Sequence, residues 1–222
     1  MPAVTAKPAP SHSLRDTLFG DLPLDVWAGT NTPTSPAPWN LFAKSRDNLA
    51  AGRTGDAIDN WRKVLSTPNL ESRHYLQAWH FLRLHRTSPT PNHAKDILGV
   101  IVEVGMPEGL DLLAAYPDHS ARYYNYSGAG VIWEHPDSSL NKPINALLSA
   151  AAAVVSRIGP WDKPRPAPPP PDQVRLNFLT PSGLHFGQAA ITTMQQDPLG
   201  GPTFAAATQL MIALTKKSTN RQ

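Results

Sequence analysis

The longest apolar stretch lies in the middle of the chain, and its pattern predicts β-strands. It opens with Ile97-Leu-Gly-Val-Ile-Val-Glu-Val104, an almost continuous run that is rich in β-branched residues. Three shorter apolar runs follow, separated by Gly, Pro, Asp or Ser: Leu110–Tyr116, Ala121–Tyr126 and Val131–Glu134. Short apolar runs bounded by turn residues are typical of strands. The sequence therefore predicts an antiparallel meander over residues 97–134.

The second half of the chain predicts a helix, a hairpin and a final helix. Apolar residues recur at helical spacing over about 141–158, with Pro143 in the first turn and Gly159 at the end. The runs Val174–Thr180 and Leu184–Ile191 flank a turn sequence and predict a hairpin over 174–191. Pro202 starts a last helix of about 202–216. We expect the meander and the hairpin to form an antiparallel sheet that packs against these two helices.

Residues 39–86 have a helical pattern instead. A first helix begins at Trp39 and is ended by Gly52, and a second over 55–65 carries its apolar residues on a single stripe. Pro68 interrupts the chain, and Asn69 is placed to cap a third helix of about 70–86. This segment is predicted to be a helical hairpin followed by a third helix.

The helical hairpin resembles one unit of a tetratricopeptide repeat. Over about residues 40–68, Gly52, Ala57, Trp61, Val64 and Pro68 match the small, apolar and terminating positions of that family. The resemblance implies two closely packed helices. No second copy occurs at the 34-residue period of the family, so it does not imply the peptide groove that tandem repeats form.

The predicted fold class is α+β, arranged in three segments that form one compact unit. Residues 1–38 hold seven of the 24 prolines and form an extended, proline-rich arm. Residues 39–86 are the helical segment, and residues 92–217 are the α+β domain, with an exposed proline-rich loop at 160–172. That loop is a stiff spacer or a ligand for an aromatic-lined groove. The order of strands and helices after residue 92 is similar to profilin-like or roadblock-like sandwiches, which implies a dimerisation or scaffold module.

Composition excludes several classes of function. The chain contains no cysteine, which rules out disulfides, thiolate metal sites and cysteine nucleophiles. The net charge is only +3 over 222 residues, and a charge excess of +4 in residues 39–86 is modest, so nucleic-acid binding is not favoured. No apolar run reaches the ~20 residues of a membrane span, and the N-terminus lacks the apolar run of a signal peptide. We expect a cytoplasmic protein without a membrane partner.

Histidines are the candidate metal ligands. The third helix contains His74, His80 and His85, but no pair has the i, i+4 spacing that lets two imidazoles hold one ion. We therefore predict no metal site and no cofactor.

Two clusters are candidates for catalysis. Glu134, His135 and Asp137 follow the last strand of the meander and are suited to general acid–base chemistry if they converge on a cleft. Ser182 and His185 bring a hydroxyl and an imidazole together at the hairpin, although their odd spacing places them on opposite faces of a strand. A hydrolase-like enzyme that uses His135 or His185 with nearby carboxylates is the alternative function.

The leading hypothesis is a non-enzymatic interaction protein, an adaptor or an assembly subunit, whose partner is another protein chain or a second copy of itself. The arm residues either pack on the body or form a docking peptide. Phe81 either lies under the sheet or belongs to an exposed patch. The candidate interaction residues are Leu18, Phe19, Trp27, Trp79, Phe81, Arg83 and Tyr124.

Overall fold

The computed structural model describes residues 13–134 and 136–219, which form an α+β fold. The helices in these residues are α1 (Leu14–Phe19), α2 (Leu24–Ala28), α3 (Trp39–Ala50), α4 (Thr54–Ser66), α5 (Ser72–Leu84), α6 (Asn141–Val155), α7 (Ile191–Gln196) and α8 (Gly201–Thr219). The strands are β1 (Gly99–Met106), β2 (Gly109–Ala115), β3 (Ala121–Tyr124), β4 (Gly130–Trp133), β5 (Gln173–Thr180) and β6 (Gly183–Ala190). None of the helices in the described ranges has the length and apolar character to cross a bilayer.

All six strands form one antiparallel sheet in the order β4-β3-β2-β1-β5-β6. The predicted hairpin joins the predicted meander through β1, where Val100 lies opposite Ala115 of β2 and Phe178 of β5. Strand β1 is central and buried on both faces, which explains its continuous apolar run.

One face of the sheet, the helix face, packs against α6 and α8. Val100, Leu113 and Phe178 point to this face and belong to one buried cluster. Helix α6 adds Ile144 and Leu147 to the same cluster, and α8 adds Leu210 and Leu214. Because the apolar residues of both helices recur every three or four positions, each helix presents one apolar stripe to the sheet.

The opposite face, the arm face, carries Ile101 and Leu112 and is covered by the N-terminal arm. Helix α1 places Leu18 and Phe19 on this face, next to Leu76 of α5. The Tyr116 hydroxyl donates a 2.7 Å hydrogen bond to the carbonyl of Leu18 and fixes α1 at the end of β2.

The helical segment has a core of its own, which the arm completes. Phe42, Trp61 and Phe81 are its largest buried side chains, with the rings of Trp61 and Phe81 centred 5.3 Å apart. The arm adds Leu22 and Trp27 to this cluster. One segment thus packs on the sheet at α1 and on the helical segment at α2, and thereby joins the two.

The proline-rich loop crosses the arm face, and we call residues 160–172 the strap. Trp161 N donates to the carbonyl of Leu184 at 2.6 Å at one end, and Asp172 N donates to the carbonyl of Gly105 at 3.1 Å at the other. Between them, Arg165 forms ion pairs with Asp16 and Asp21 of the arm. Most strap residues are exposed, but these contacts anchor the strap to both the sheet and the arm.

Two local predictions are wrong. Residues 1–12 of the predicted arm lie outside the described residues. Residues 13–38 are not extended, because Ser13 and Asp16 form a capping box and Gly20 ends α1 in the left-handed region at φ 64°. Pro23 precedes α2, where a residue without an N–H donor removes no hydrogen bond. The strand predicted to extend to Ile191 ends at Ala190, and Ile191 begins the short helix α7.

Candidate functional site

The candidate catalytic residues after β4 do not converge in the described structure. Glu134 accepts a 3.0 Å hydrogen bond from Arg122 on the arm face of the sheet. Asp137 accepts a 2.8 Å hydrogen bond from the backbone of Ser139 in the turn before α6. His135 lies outside the described residues. The two carboxylates are therefore engaged in different local roles, one in an ion pair and one in a turn.

In the part of the chain that the structure describes, Ser182 and His185 are connected through a third residue, Thr180. The Thr180 hydroxyl donates to the carbonyl of Gly183 at 2.9 Å, lies 2.9 Å from the Ser182 hydroxyl and lies 3.5 Å from His185 Nδ1. The Ser182 proton is thus directed at an oxygen, whereas an activated serine needs a base at that position.

His185 is also a weakened base. Its side chain is fully buried, and this burial lowers the pKa of the imidazole below its ordinary value. No hydrogen bond or ion pair joins it to a carboxylate within residues 13–134 and 136–219, although a carboxylate is what orients the histidine of a catalytic triad. The Ser182–Thr180–His185 chain therefore has the geometry of a turn-stabilising polar contact.

A cleft lies between the N-terminus of α5 and the turn that joins β2 and β3. It has a volume of about 750 Å³, and the carboxylate of Asp118 lies in its wall. One oxygen of Asp118 accepts from Ser72 N at 2.6 Å, and the other accepts from the backbone and hydroxyl of Ser120 at 2.9 and 2.7 Å. Burial alone would raise the pKa of Asp118, but these hydrogen bonds bring it below its usual value.

Asp118 therefore acts as the cap of α5, the role that the sequence suggested for Asn69. Asn69 instead adopts a left-handed conformation at φ 59°, three residues before the helix. The cap comes from a residue 46 positions further along the chain, which local sequence cannot predict. Because its oxygens already accept three hydrogen bonds, Asp118 is an unsuitable base for chemistry in the cleft.

A buried ionic cluster, which is not among the predicted sites, lies on the arm face. Glu103 of β1 is fully buried and accepts from Arg15 at 2.6 Å, from Asn177 at 3.1 Å and from Arg175 at 3.4 Å. Arg175 also donates to Gln188 and, at 2.6 Å, to the carbonyl of Ala167 in the strap. Burial lowers the pKa of Arg175.

This cluster joins the arm, the strap and three strands, and the Glu103 carboxylate is enclosed by its partners. The sequence did contain a signal, because Glu103 interrupts an apolar strand and Arg175 and Asn177 share one face of β5. Charged residues inside a buried strand need partners, so they predict a cluster even before the partner is known. In the described residues there is no group of three or more His, Asp or Glu side chains arranged to hold a metal ion.

The candidate interaction residues are mostly used within the chain. Leu18, Phe19, Trp27 and Phe81 are all buried. Trp79 is half-buried against the helical core. The packing alternative therefore accounts for the arm residues, and Phe81 is covered by the other helices and not by the sheet.

The remaining two candidates differ in their surroundings. Arg83 is half-buried and donates to the carbonyls of Thr180 and Pro181, which ties α5 to the turn between β5 and β6. Tyr124 is half-buried on the arm face of β3, and its ring lies across Gly130, where an added Cβ would come within 2.6 Å of it.

Around Tyr124, at the β4 end of the sheet, two apolar side chains are exposed. Ile132 of β4 is 53% exposed and Tyr126, in the turn that follows β3, is 48% exposed. Ile132 of β4 lies opposite Arg122 of β3, and residues that lie opposite each other point to the same face. Tyr124 is two residues from Arg122 on β3, so its side chain points to that face as well. We call Tyr124, Tyr126 and Ile132 the open strip. The Arg122–Glu134 ion pair lies beside it.

The chain matches no protein-family model, no curated protein and no solved structure.

Proposed function

We propose that this chain is a non-enzymatic interaction protein, an adaptor or assembly subunit, that binds another protein chain at the open strip. The observation that carries the proposal is the exposure of Ile132 and Tyr126, two large apolar side chains at the β4 end of the sheet. Large apolar side chains grouped beside a polar rim are typical of protein-binding surfaces.

The backbone at the open strip supports the same proposal. Asn125 N donates to the carbonyl of Ala129, so the backbone N–H and C=O groups of Ala129 point towards β3. Because these groups alternate along a strand, those of Gly130 and Ile132 point away from β3, towards the open edge of the sheet. An apolar segment of a partner that lies beside β4 would therefore meet both the side chain and the backbone of Ile132. Addition of a strand to a sheet edge is a common mode of peptide recognition.

The contacts beneath the open strip make it a rigid surface. Tyr124 is held by its contact with Gly130, and the Tyr123 hydroxyl donates to Asp111 at 2.8 Å on the neighbouring strand β2. A surface that is already ordered loses little conformational entropy on binding, which favours affinity.

The test is affinity capture from the source organism with the full-length chain and two charge variants. We expect proteins that are enriched on the wild-type chain to fall at least about tenfold on the Ile132→Lys variant. The matched control is Leu84→Lys, because Leu84 is 64% exposed at the far end of α5 and its substitution adds the same charge. The control variant should retain the enriched proteins.

Two results would overturn the proposal. One is that no protein is enriched on the wild-type chain over an unrelated bait. The other is that the same proteins are captured equally by the wild-type and Ile132→Lys chains. Thermal melting of both variants shows that any loss comes from the surface and not from unfolding.

A further inference from the structure

The other edge of the sheet is formed by β6, which lacks the usual protection of an edge strand. It is eight residues long, Gly183-Leu-His-Phe-Gly-Gln-Ala-Ala190, and contains no proline, lysine, arginine, aspartate or glutamate. Natural sheets block pairing at their edges with charges, prolines, bulges or a covering segment. The opposite edge, β4, is only four residues long.

The direction of the backbone groups of β6 follows from two hydrogen bonds. The carbonyl of Gly183 faces inward, since it accepts from the Thr180 hydroxyl on β5. The carbonyl of Leu184 faces outward, because it accepts from Trp161 N in the strap. Backbone groups alternate along a strand, so those of Phe186 and Gln188 also face outward.

These outward groups have no partner within the described part of the chain. The strap covers the edge only at Leu184 and then turns across the arm face towards Arg165. Phe186 and Gln188 therefore present two N–H and two C=O groups along an uncharged edge. Such a row is a template for an additional strand.

We propose that β6 pairs antiparallel with β6 of a second copy of this chain, so that the two sheets become one continuous sheet. Pairing of a strand with itself about a two-fold axis brings identical sequences together. A charged edge would then face its own charge, whereas β6 carries none, and this favours a second copy over a charged partner. Phe186 of each copy would lie opposite Gln188 of the other when the axis passes through Gly187.

The side chains of β6 suit this pairing. The Phe186 ring packs against the Trp161 ring, with centroids 5.1 Å apart, and against the Arg175 guanidinium. It is therefore already ordered on the arm face. On the helix face, Gly187 and Ala189 are small, and an added Cβ at Gly187 meets no atom within 4 Å. Two copies can thus approach closely without a steric conflict at the axis.

This inference goes beyond the proposed function, because it concerns β6 and a second copy of the chain, whereas the open strip lies at the opposite edge. A monomeric chain that still captures a partner through Ile132 would overturn self-pairing and leave the proposed function standing. A dimer that captures no other protein would overturn the proposed function and leave self-pairing standing.

The test is the mass of the full chain in solution, measured by light scattering and sedimentation. We expect the wild-type chain to have twice the monomer mass of 24.1 kDa. Gly187→Lys alone and Gly187→Glu alone place like charges at or beside the axis, so each should raise the dissociation constant at least about tenfold. An equimolar mixture of the two variants should restore dimers that contain one copy of each.

Gly55→Lys is the matched control, since Gly55 lies in α4, has the same open surroundings and gains the same charge. It should remain dimeric. A second measurement needs no substitution: amide hydrogen exchange of the wild-type chain should slow at Phe186 and Gln188 as protein concentration rises.

A monomeric wild-type chain would overturn the inference. So would a dimer that both Gly187 variants leave unchanged, or exchange at Phe186 and Gln188 that does not depend on concentration. A dimer that is lost in Ile132→Lys and kept in Gly187→Lys would place the interface at β4 and would also overturn it.

Discussion

At the residue scale, Glu103 shows how a buried charge can hold distant segments together. Its carboxylate is fully buried and contacts Arg15 from the arm, Arg175 from β5 and Asn177 from β5. Removing a charge from water is costly, and the cost is offset only where partners occupy its remaining lone pairs. The arm supplies one of these partners, so the position of α1 and the burial of Glu103 depend on each other.

We predict that Glu103→Gln lowers the free energy of unfolding by about 3–5 kcal/mol, because it leaves two guanidinium groups beside a neutral side chain. Urea unfolding followed by circular dichroism measures this change. The matched control is Glu134→Gln, which breaks a pair whose carboxylate is 56% exposed and should cost about 1 kcal/mol or less. Equal losses in the two variants would contradict the role assigned to Glu103.

His80 makes a second prediction at this scale. Burial, with a smaller effect of Arg83, lowers its pKa from 6.5 to about 4. Between these two values the unfolded chain binds a proton that the folded chain does not, so stability falls as the pH is lowered from 6.5 towards 4. His80→Gln should reduce the slope of unfolding free energy against pH in that interval by up to about 1.4 kcal/mol per pH unit. Unfolding curves at several pH values would contradict this if both chains had the same slope.

At the element scale, the strap shows what the composition of a segment can and cannot predict. Its proline content correctly predicts an exposed, non-helical segment, since prolines lack the donor that helices and central strands need. Nothing in that composition indicates where it lies. Its place is decided by Arg165, which pairs with Asp16 and Asp21, and by Gly105, whose missing side chain lets the strap approach β1.

We predict that Gly105→Ala destabilises the protein by about 1–3 kcal/mol, because the added Cβ would lie 2.6 Å from the carbonyl carbon of Pro170 and the strap must shift. Gly159→Ala is the control, since its Cβ meets no atom within 4 Å and its stability should change by less than about 0.5 kcal/mol. Thermal melting measures both. Limited proteolysis should also cut the strap faster in Gly105→Ala than in the control.

At the scale of the whole molecule, the arm makes one unit out of two cores. Leu18 and Phe19 belong to the cluster on the arm face, whereas Leu22 and Trp27 belong to the cluster of the helical segment. Arg83 adds a direct link from α5 to the turn between β5 and β6. The helical segment and the sheet should therefore unfold together.

We predict that a chain starting at Trp39 loses this coupling. The full chain should unfold in one transition that is coincident by circular dichroism and tryptophan fluorescence. The shortened chain should lose roughly 3 kcal/mol or more, since each buried large side chain contributes about 1.5–3 kcal/mol and ordering the arm offsets only part of the sum. The unfolding transitions of the shortened chain by circular dichroism and by tryptophan fluorescence should no longer coincide. A shortened chain with the midpoint and coincidence of the full chain would contradict the bridging role.

Periodicity along the chain was sufficient for the α+β class, the meander, the hairpin and five of the helices, because helices and strands repeat every 3.6 and 2 residues whatever they pack against. It failed at the arm, where Ser13, Asp16 and Gly20 form two caps that enclose a helix of only six residues. It also failed at the α5 cap, because Asp118 is far away in sequence.

Contacts between distant residues decided everything that bears on function. The strand order and the path of the arm and strap decide which carboxylate becomes buried. They also decide which tyrosine stays half-exposed and which edge of the sheet remains uncovered. The strand order and these paths are those that bury several apolar faces and pair several charged groups at the same time. No local sequence pattern contains that information. The chain alone therefore predicted the elements, whereas the fold decided which of their surfaces are left for a partner.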